Sequence, residues 1–179
     1  MKKIHLFFIL VGVCFIANAQ QPSSPKHVPL QRVKVLITST TSFCGGARLA
    51  DDHEVLQQLQ NPKPYANKVF YLRRGATNST RKAIRVVTDS NGCFQIKLKP
   101  GNYCLLYETQ LHKPDTGKFK SNSSYEFTGV ECLYNWWQRG FQTLKVGNKS
   151  TTLSFNIHFP CFMNPIEQPC MEYIGPFPP

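Results

Sequence analysis

Val33, Val35 and Ile37 are apolar where Arg32 and Lys34 are not, and the same period of two returns at Phe94, Ile96 and Leu98 against Gln95, Lys97 and Lys99. Successive side chains on a strand point to opposite faces, so each such run is apolar on one side only and another layer must cover that side. Further β-rich runs stand at Lys68 to Arg73, Ala83 to Thr88, Phe141 to Val146 and Thr151 to Phe159, and Tyr103, Leu105 and Tyr107 supply one more alternating face. Asp89-Ser90-Asn91-Gly92 and Pro100-Gly101-Asn102 carry turn chemistry between these runs. They predict two hairpins and a meander through residues 83 to 107. Short strands separated by regular turn signals predict an all-β, two-layer antiparallel β-sandwich over residues 31 to 160.

Two segments depart from this rhythm. After Cys44-Gly45-Gly46 breaks the first strand, Asp51 or Asp52 can cap a short helix running to Gln60, with Val55, Leu56 and Leu59 on one side and Asn61-Pro62-Lys63-Pro64 ending it. Residues 161 to 179 hold Cys161, Pro165, Pro169, Cys170, Pro176, Pro178 and Pro179. Prolines do not fit a central strand, which predicts an extended Pro/Cys-rich tail stapled to the body by Cys161 and Cys170.

The amino terminus sets the compartment. Met1, Lys2 and Lys3 precede an apolar run from Ile4 to Ile16, and Ala17-Asn18-Ala19 has the small-x-small pattern of a cleavage site, so residues 1 to 19 read as a secretory signal. That run is well short of the roughly 20 residues a spanning helix needs, and no later segment has that length without charges. The expected mature protein is a linker at residues 20 to 30, one sandwich domain and the tail, secreted or periplasmic, with no transmembrane segment. Cys14 leaves with the signal. The remaining Cys44, Cys93, Cys104, Cys132, Cys161 and Cys170 make an even number in an exported chain, which predicts up to three disulfides among fifteen complete pairings. If Cys93 and Cys104 lie on the two arms of one hairpin turning at Pro100-Gly101, their sulfurs stand about 13 Å apart along the strands and that bond is excluded.

Loss of Lys2 and Lys3 takes the formal net charge from +11 to +9. Between Val55 and Thr88 stand Lys63, Lys68, Arg73, Arg74, Arg81, Lys82 and Arg85 with no Asp or Glu. A positive strand surface built from Lys68, Arg73, Arg74, Arg81, Lys82 and Arg85 suits a polyanion; outside the cytoplasm that means acidic glycan or phosphorylated lipid, and nucleic acid is not expected. Scattered cations also keep strand edges soluble and unpaired.

Val87-Thr88-Asp89-Ser90-Asn91-Gly92-Cys93-Phe94, followed by Leu98-Lys99-Pro100-Gly101-Asn102-Tyr103, resembles the Thr-Asp-x-x-Gly-x-Phe and Leu-x-Pro-Gly-x-Tyr signature of carboxypeptidase regulatory-like domains, the transthyretin-like (prealbumin-like) sandwiches. The resemblance covers residues 31 to 110, and the helix-bearing insertion and the Cys-rich tail are similar to secreted proteins of Bacteroidetes-type bacteria. It implies a transthyretin-like sandwich with one short helix in an insertion, acting as a non-catalytic accessory module that contacts a protein or glycan. No catalytic residue, metal ligand or cofactor is assigned, and a monomer is expected.

Enzymatic chemistry needs residue sets that this sequence lacks or holds apart. His53-Glu54-Val55-Leu56-Gln57 lacks the second imidazole that lets His-Glu-x-x-His clamp zinc on one helix face. Intradiol dioxygenases share a related sandwich and use two Tyr and two His around iron; here His112 and His158 stand apart. His158, Cys161 and Cys170 make a zinc set only if the cysteines are reduced. Cys44 beside two glycines needs a neighbouring base to be a nucleophile. No Gly-x-Ser-x-Gly elbow, glycine-rich phosphate loop or Cys-x-x-Cys pair occurs. Asn78, Asn122 and Asn148 stand in Asn-x-Ser/Thr triplets, which matter only in a host that glycosylates them.

The strongest binding signal is Tyr134-Asn135-Trp136-Trp137-Gln138-Arg139-Gly140-Phe141, which holds both tryptophans of the protein. Flat rings beside Arg, Asn and Gln give large contact area at little entropic cost. Tyr134, Trp136, Trp137 and Arg139 are therefore the candidate ligand surface, with a core role for one tryptophan as the competing reading.

Overall fold

The computed structural model describes residues 28–44, 57, 58 and 60–176. The signal segment, His53, Glu54 and most of the expected insertion helix lie outside the described residues. Of that helix, Gln57, Gln58 and Gln60 are helical, and the Asn61 amide donates to the Gln57 carbonyl at 2.9 Å.

The architecture is all-β, in two main layers. In the first, β1 (Gln31–Thr41) is central. One of its edges pairs with β9 (Thr151–Phe159), and the other takes β5 (Cys93–Leu98) and then the short β2 (Lys63–Pro64) in succession. The second layer has the order β4 (Ile84–Val87), β3 (Val69–Arg74), β6 (Gly101–Leu106) and β8 (Gln142–Val146), antiparallel throughout. The facing sides close over one core: Val33, Val35, Ile37, Phe94, Leu98 and Ile157 from the first sheet; Phe70, Leu72, Val86, Tyr103, Leu105, Leu144 and Val146 from the second. These are the inward positions that the period-two pattern assigns.

Gly92 shows how tightly the first sheet closes. The Ile37 amide donates to the Gly92 carbonyl at 2.8 Å and the Tyr65 amide donates to the Ile37 carbonyl at 2.9 Å, so β5 and β2 meet β1 at adjacent points. At φ 72° a side chain on Gly92 would run into the Ile37 carbonyl and the Tyr65 amide nitrogen. Only glycine allows both the backbone angle and the approach.

Four expectations are corrected. The pairing is not wholly antiparallel, because β1 and β9 run parallel from Val33 opposite Thr151 to Thr41 opposite Phe159. The meander is absent among the described residues. Asp89 to Gly92 does reverse the chain, with the Gly92 amide donating to the Asp89 carbonyl at 3.0 Å, but β4 pairs with β3 and β5 pairs with β1. Likewise the turn at Pro100-Gly101 carries the chain from the first sheet to the second rather than closing a hairpin. Both turns are arches between layers, and inward faces such as Phe94 and Tyr103 alternate the same way in an arch as in a hairpin.

The third correction is a ten-residue helix, Val130–Arg139, where no helix was expected. Gly129 and Gly140 flank it at φ 120° and 68°, and its Leu133 and Trp137, four residues apart, are buried. Fourth, the tail is not extended. Residues 161–170 fold into consecutive turns, and β10 (Met171–Tyr173) pairs antiparallel with β7 (Tyr125–Phe127) in a separate ribbon.

Two disulfides join Cys44 to Cys161 and Cys132 to Cys170, so Cys161 and Cys170 each tie the tail to the body as expected. Cys93 and Cys104 are thiols, and the expectation of up to three bridges resolves to two. These two cysteines do not pair, although the hairpin geometry from which that was inferred does not exist. Two bridges point to an oxidising, extracytoplasmic setting. No helix among the described residues is long and apolar enough to cross a membrane.

Candidate functional site

The helix Val130–Arg139 owes its position to a buried polar clasp. Asn78, buried in the β3–β4 loop, donates through Nδ2 to the carbonyls of Gln110 at 2.8 Å and Trp137 at 3.0 Å, while its backbone amide donates to the Gln138 carbonyl at 2.7 Å. Gln110, fully buried, donates through Nε2 to the Trp136 carbonyl at 3.0 Å and accepts the Tyr107 amide at 3.1 Å. The last carbonyls of a helix have no partners within it; here three of them are met by loop amides. Asn78 Oδ1 accepts from Arg73 Nη1 at 2.6 Å, and the guanidinium also donates to the carbonyls of Ser79 and Leu111. Burial lowers the pKa of Arg73, with Cys104 opposing, and its Nε has no hydrogen-bond partner among the described residues.

Arg73 is therefore removed from the expected polyanion surface: it faces into the fold, while Lys68, Arg74, Arg81, Lys82 and Arg85 are exposed. Lys68 also holds its ammonium 5.4 Å from the centroid of the Tyr65 ring. Asn78, with its side chain consumed in the clasp, is no accessible glycosylation acceptor in the folded chain.

Once anchored, the helix presents a second face. Glu131, Asn135 and Arg139 recur every four residues, as do Cys132 and Trp136 on the adjacent row, so all five project to the same side. Across from them run Met163, Pro165, Gln168, Pro169 and Cys170 of the tail, and between the two walls lies a groove of about 620 Å³ whose lining also includes Thr128. The Cys132–Cys170 bridge joins the walls directly. The Thr128 amide and hydroxyl both donate to the Cys170 carbonyl at 2.9 Å, and Asn164 organises the tail turns by accepting the Ile166 and Gln168 amides. Tyr125 donates to the Phe162 carbonyl at 2.7 Å and packs edge-on against Tyr173, locking the β7–β10 ribbon beneath.

The aromatic cluster is thus divided. Trp137 is in the core, with Nε1 unpartnered. Trp136 is half-buried and lines the groove with Arg139. Tyr134 is 43% exposed and stands outside the groove lining. Glu131 and Gln168 were missed. The signal for Glu131 was the four-residue spacing through Asn135 to Arg139, invisible while the segment was not read as helical; Gln168 reaches the groove only through the fold of the tail. Opposite charges at Glu131 and Arg139 are separated by about 12 Å along the helix axis.

The alternative chemistries meet a different geometry. Tyr65 and Tyr107 line one cavity of about 330 Å³ with Glu108 and Glu167, and no imidazole is among its described lining residues. Burial pushes both phenols up, that of Tyr65 with help from Glu167 and that of Tyr107 with help from Tyr65, so both stay protonated. His112 is exposed in its loop. Cys161 and Cys170 belong to different bridges, so the reduced pair that a zinc set with His158 would require is absent. Cys44 is oxidised and is no nucleophile. His158 instead lies between two hydroxyls, Thr40 Oγ1 at 3.1 Å from Nδ1 and Ser42 Oγ at 2.9 Å from Nε2. The parallel register between β1 and β9 creates that contact.

No protein-family model matches the chain, and no curated protein matches it. Among solved structures it is similar to one described as the Bacillus anthracis TIE protein, at 11% identity and a TM-score of 0.33 over 73% of this chain. The chain spans 17% of that protein's length, and nothing of that protein is carried over to this one.

Proposed function

We propose that the chain is an exported, non-catalytic binding module that holds an oligosaccharide of the cell envelope in the groove between the helix Val130–Arg139 and the disulfide-tied tail. Trp136 carries the reading: a half-buried indole, fixed from behind by the Gln110 bond to its carbonyl, lies in a concavity with carboxylate, amide and guanidinium groups on the same helix face. Sugars use that combination, an apolar ring face against indole and hydroxyls against fixed polar groups. The volume is within the range of ligand sites. The carboxypeptidase regulatory-like resemblance, with an accessory rather than catalytic role, and removal of residues 1 to 19 on export accord with this reading. The module acts as a monomer.

Tryptophan fluorescence of the oxidised protein, titrated with a panel of envelope oligosaccharides, tests it. A saturable change abolished by Trp136→Ala and by Asn135→Ala supports the assignment. Absence of any response, with capture of a protein through the same residues instead, would replace the glycan by a protein ligand.

A further inference from the structure

Not one Asp or Glu occurs in β1, β5 or β9. Their inward positions fill the core, which leaves Arg32, Lys34 and Lys97 exposed on the outer face of that sheet. Arg32 is directly opposite Lys97 in the antiparallel register, and Lys34 is level with Gln95 on one side and Thr152 on the other. Like charges directly opposed across two strands destabilise a sheet, and no carboxylate on the three strands relieves the pair.

The face is also shaped. A depression of about 280 Å³ is lined by Arg32, Lys34, Gln95, Ser150, Thr151 and Thr152. A second, of about 760 Å³, lies at the edge of the face where β5 meets β4 of the other sheet; it shares Lys34 and Gln95 and adds Arg85 and Val87. Asp89 borders the second, and its Oδ1 accepts the Asn91 and Cys93 amides, both at 2.9 Å. Beyond the cations the same face becomes a hydrogen-bonded ladder: Thr38 Oγ1 donates to Asn156 Oδ1 at 3.0 Å, Asn156 Nδ2 donates to Thr40 Oγ1 at 3.0 Å, and Thr40 and Ser42 flank His158. From Arg32 to Thr40 the strand rises about 26 Å.

We propose that this outer face is a binding surface for an anionic polysaccharide, whose sulfate or carboxylate groups sit at Arg32, Lys34 and Lys97 while its hydroxyls follow the Thr38–His158 ladder. The opposed Arg32 and Lys97, with no carboxylate on the three strands to offset them, select the anion. A row of hydroxyl, amide and imidazole groups, interrupted on this face by Leu36 and carrying no outward Phe, Tyr or Trp from the three strands, suits sugar rather than unstacked bases or a bilayer interior. The surface is separate from the Trp136 groove and stands or falls independently of it.

Heparin binding to the full oxidised protein, measured across a salt series, is the test, with Lys97→Glu against the charge-matched control Arg81→Gln/Lys82→Gln. Lys97→Glu should weaken binding about tenfold or more and flatten the salt dependence by roughly two ion contacts. Its melting temperature should stay level or rise, since the new carboxylate faces Arg32. The control should bind within about threefold of the parent. Arg32→Gln/Lys34→Gln, which introduces no new pair, should lose binding as well. Equal losses in control and Lys97→Glu would reduce the effect to net charge and overturn the proposal. Absent heparin binding, or tighter binding to anionic-lipid vesicles or single-stranded oligonucleotide, would overturn it too.

Discussion

Asn78 closes the carboxyl end of the helix by donating its side-chain amide to the carbonyl of Trp137, 59 positions along the chain, at 3.0 Å. Through Oδ1 the same side chain accepts from the buried Arg73. One loop amide thus couples a strand, a loop and the helix that carries the candidate groove.

Asn78→Ala should be among the most damaging single changes away from the apolar core. It removes two donors and one acceptor from a buried site and leaves the carbonyls of Gln110 and Trp137 and the Arg73 guanidinium each short of a partner. The expected loss is about 2 to 4 kcal/mol, read from urea denaturation midpoints at unchanged slope. A loss below about 0.5 kcal/mol would mean that water replaces the amide.

Gly140 packs on the thiol of Cys104, with the Leu106 side chain and the Leu105 carbonyl close behind. Its φ of 68° adds a second requirement for glycine. Gly140→Ala should cost about 2 kcal/mol or more. Cys104→Ala in the same background should recover part of that loss, so a thermodynamic cycle over the two positions should show coupling; strict additivity would place the strain elsewhere.

The tryptophans should separate cleanly. Trp137→Ala empties a core position and should destabilise the fold by about 3 to 5 kcal/mol. Trp136→Ala should cost less stability and remove groove binding. Thermal melts beside fluorescence titrations read both, and the reverse ranking would contradict the division of the cluster.

Replacing Cys132 and Cys170 together by Ser should free one wall of the groove. Loss of a loop of 38 residues predicts about 4 kcal/mol in the chain-entropy account. Limited proteolysis should then cut within residues 161–176 while the sandwich stays resistant. Resistance equal to the parent would show that the β7–β10 ribbon alone holds the tail.

The remaining thiols predict both reactivity and pH dependence. Cys104 is buried and its pKa is pushed up to about 11 by burial, with Arg73 opposing, whereas Cys93 is half-exposed. A thiol reagent at pH 8 should titrate one cysteine in the native protein and two after denaturation. For Cys104 the folded chain keeps its proton at a pH where the unfolded chain has released it. That contribution to stability is therefore intact below about pH 9 and is lost as pH climbs through about 11. Tyr65 and Tyr107, also raised, add loss in the same direction. Stability measured from pH 8 to 11 should fall less steeply in Cys104→Ala than in the parent; an identical slope would remove Cys104 as a cause.

Part of the site was legible. Trp136 and Arg139 were marked by composition alone, because aromatic and guanidinium groups side by side suit contact wherever they fold. Glu131 and Gln168 were not marked, since the first joins the groove only through helical spacing and the second only through a tail folded back by a bridge. Arg73 read as one more surface cation, and its burial depends on Asn78 and the carbonyls of Ser79 and Leu111, which no local pattern brings to it.

What the residues alone determined was local: where strands run, which of their faces turns inward, and where the chain bends. Alternation of Val33, Val35 and Ile37, or the left-handed freedom of Gly92, is a property of neighbours in sequence. Tertiary structure alone decided which strands pair, that the turns at Asp89 and Pro100 are arches, that β9 lies parallel to β1, and which four of six cysteines oxidise. An apolar face requires only a cover, and many covers satisfy it equally. The choice among them comes from packing both sheets, the helix and the tail at once.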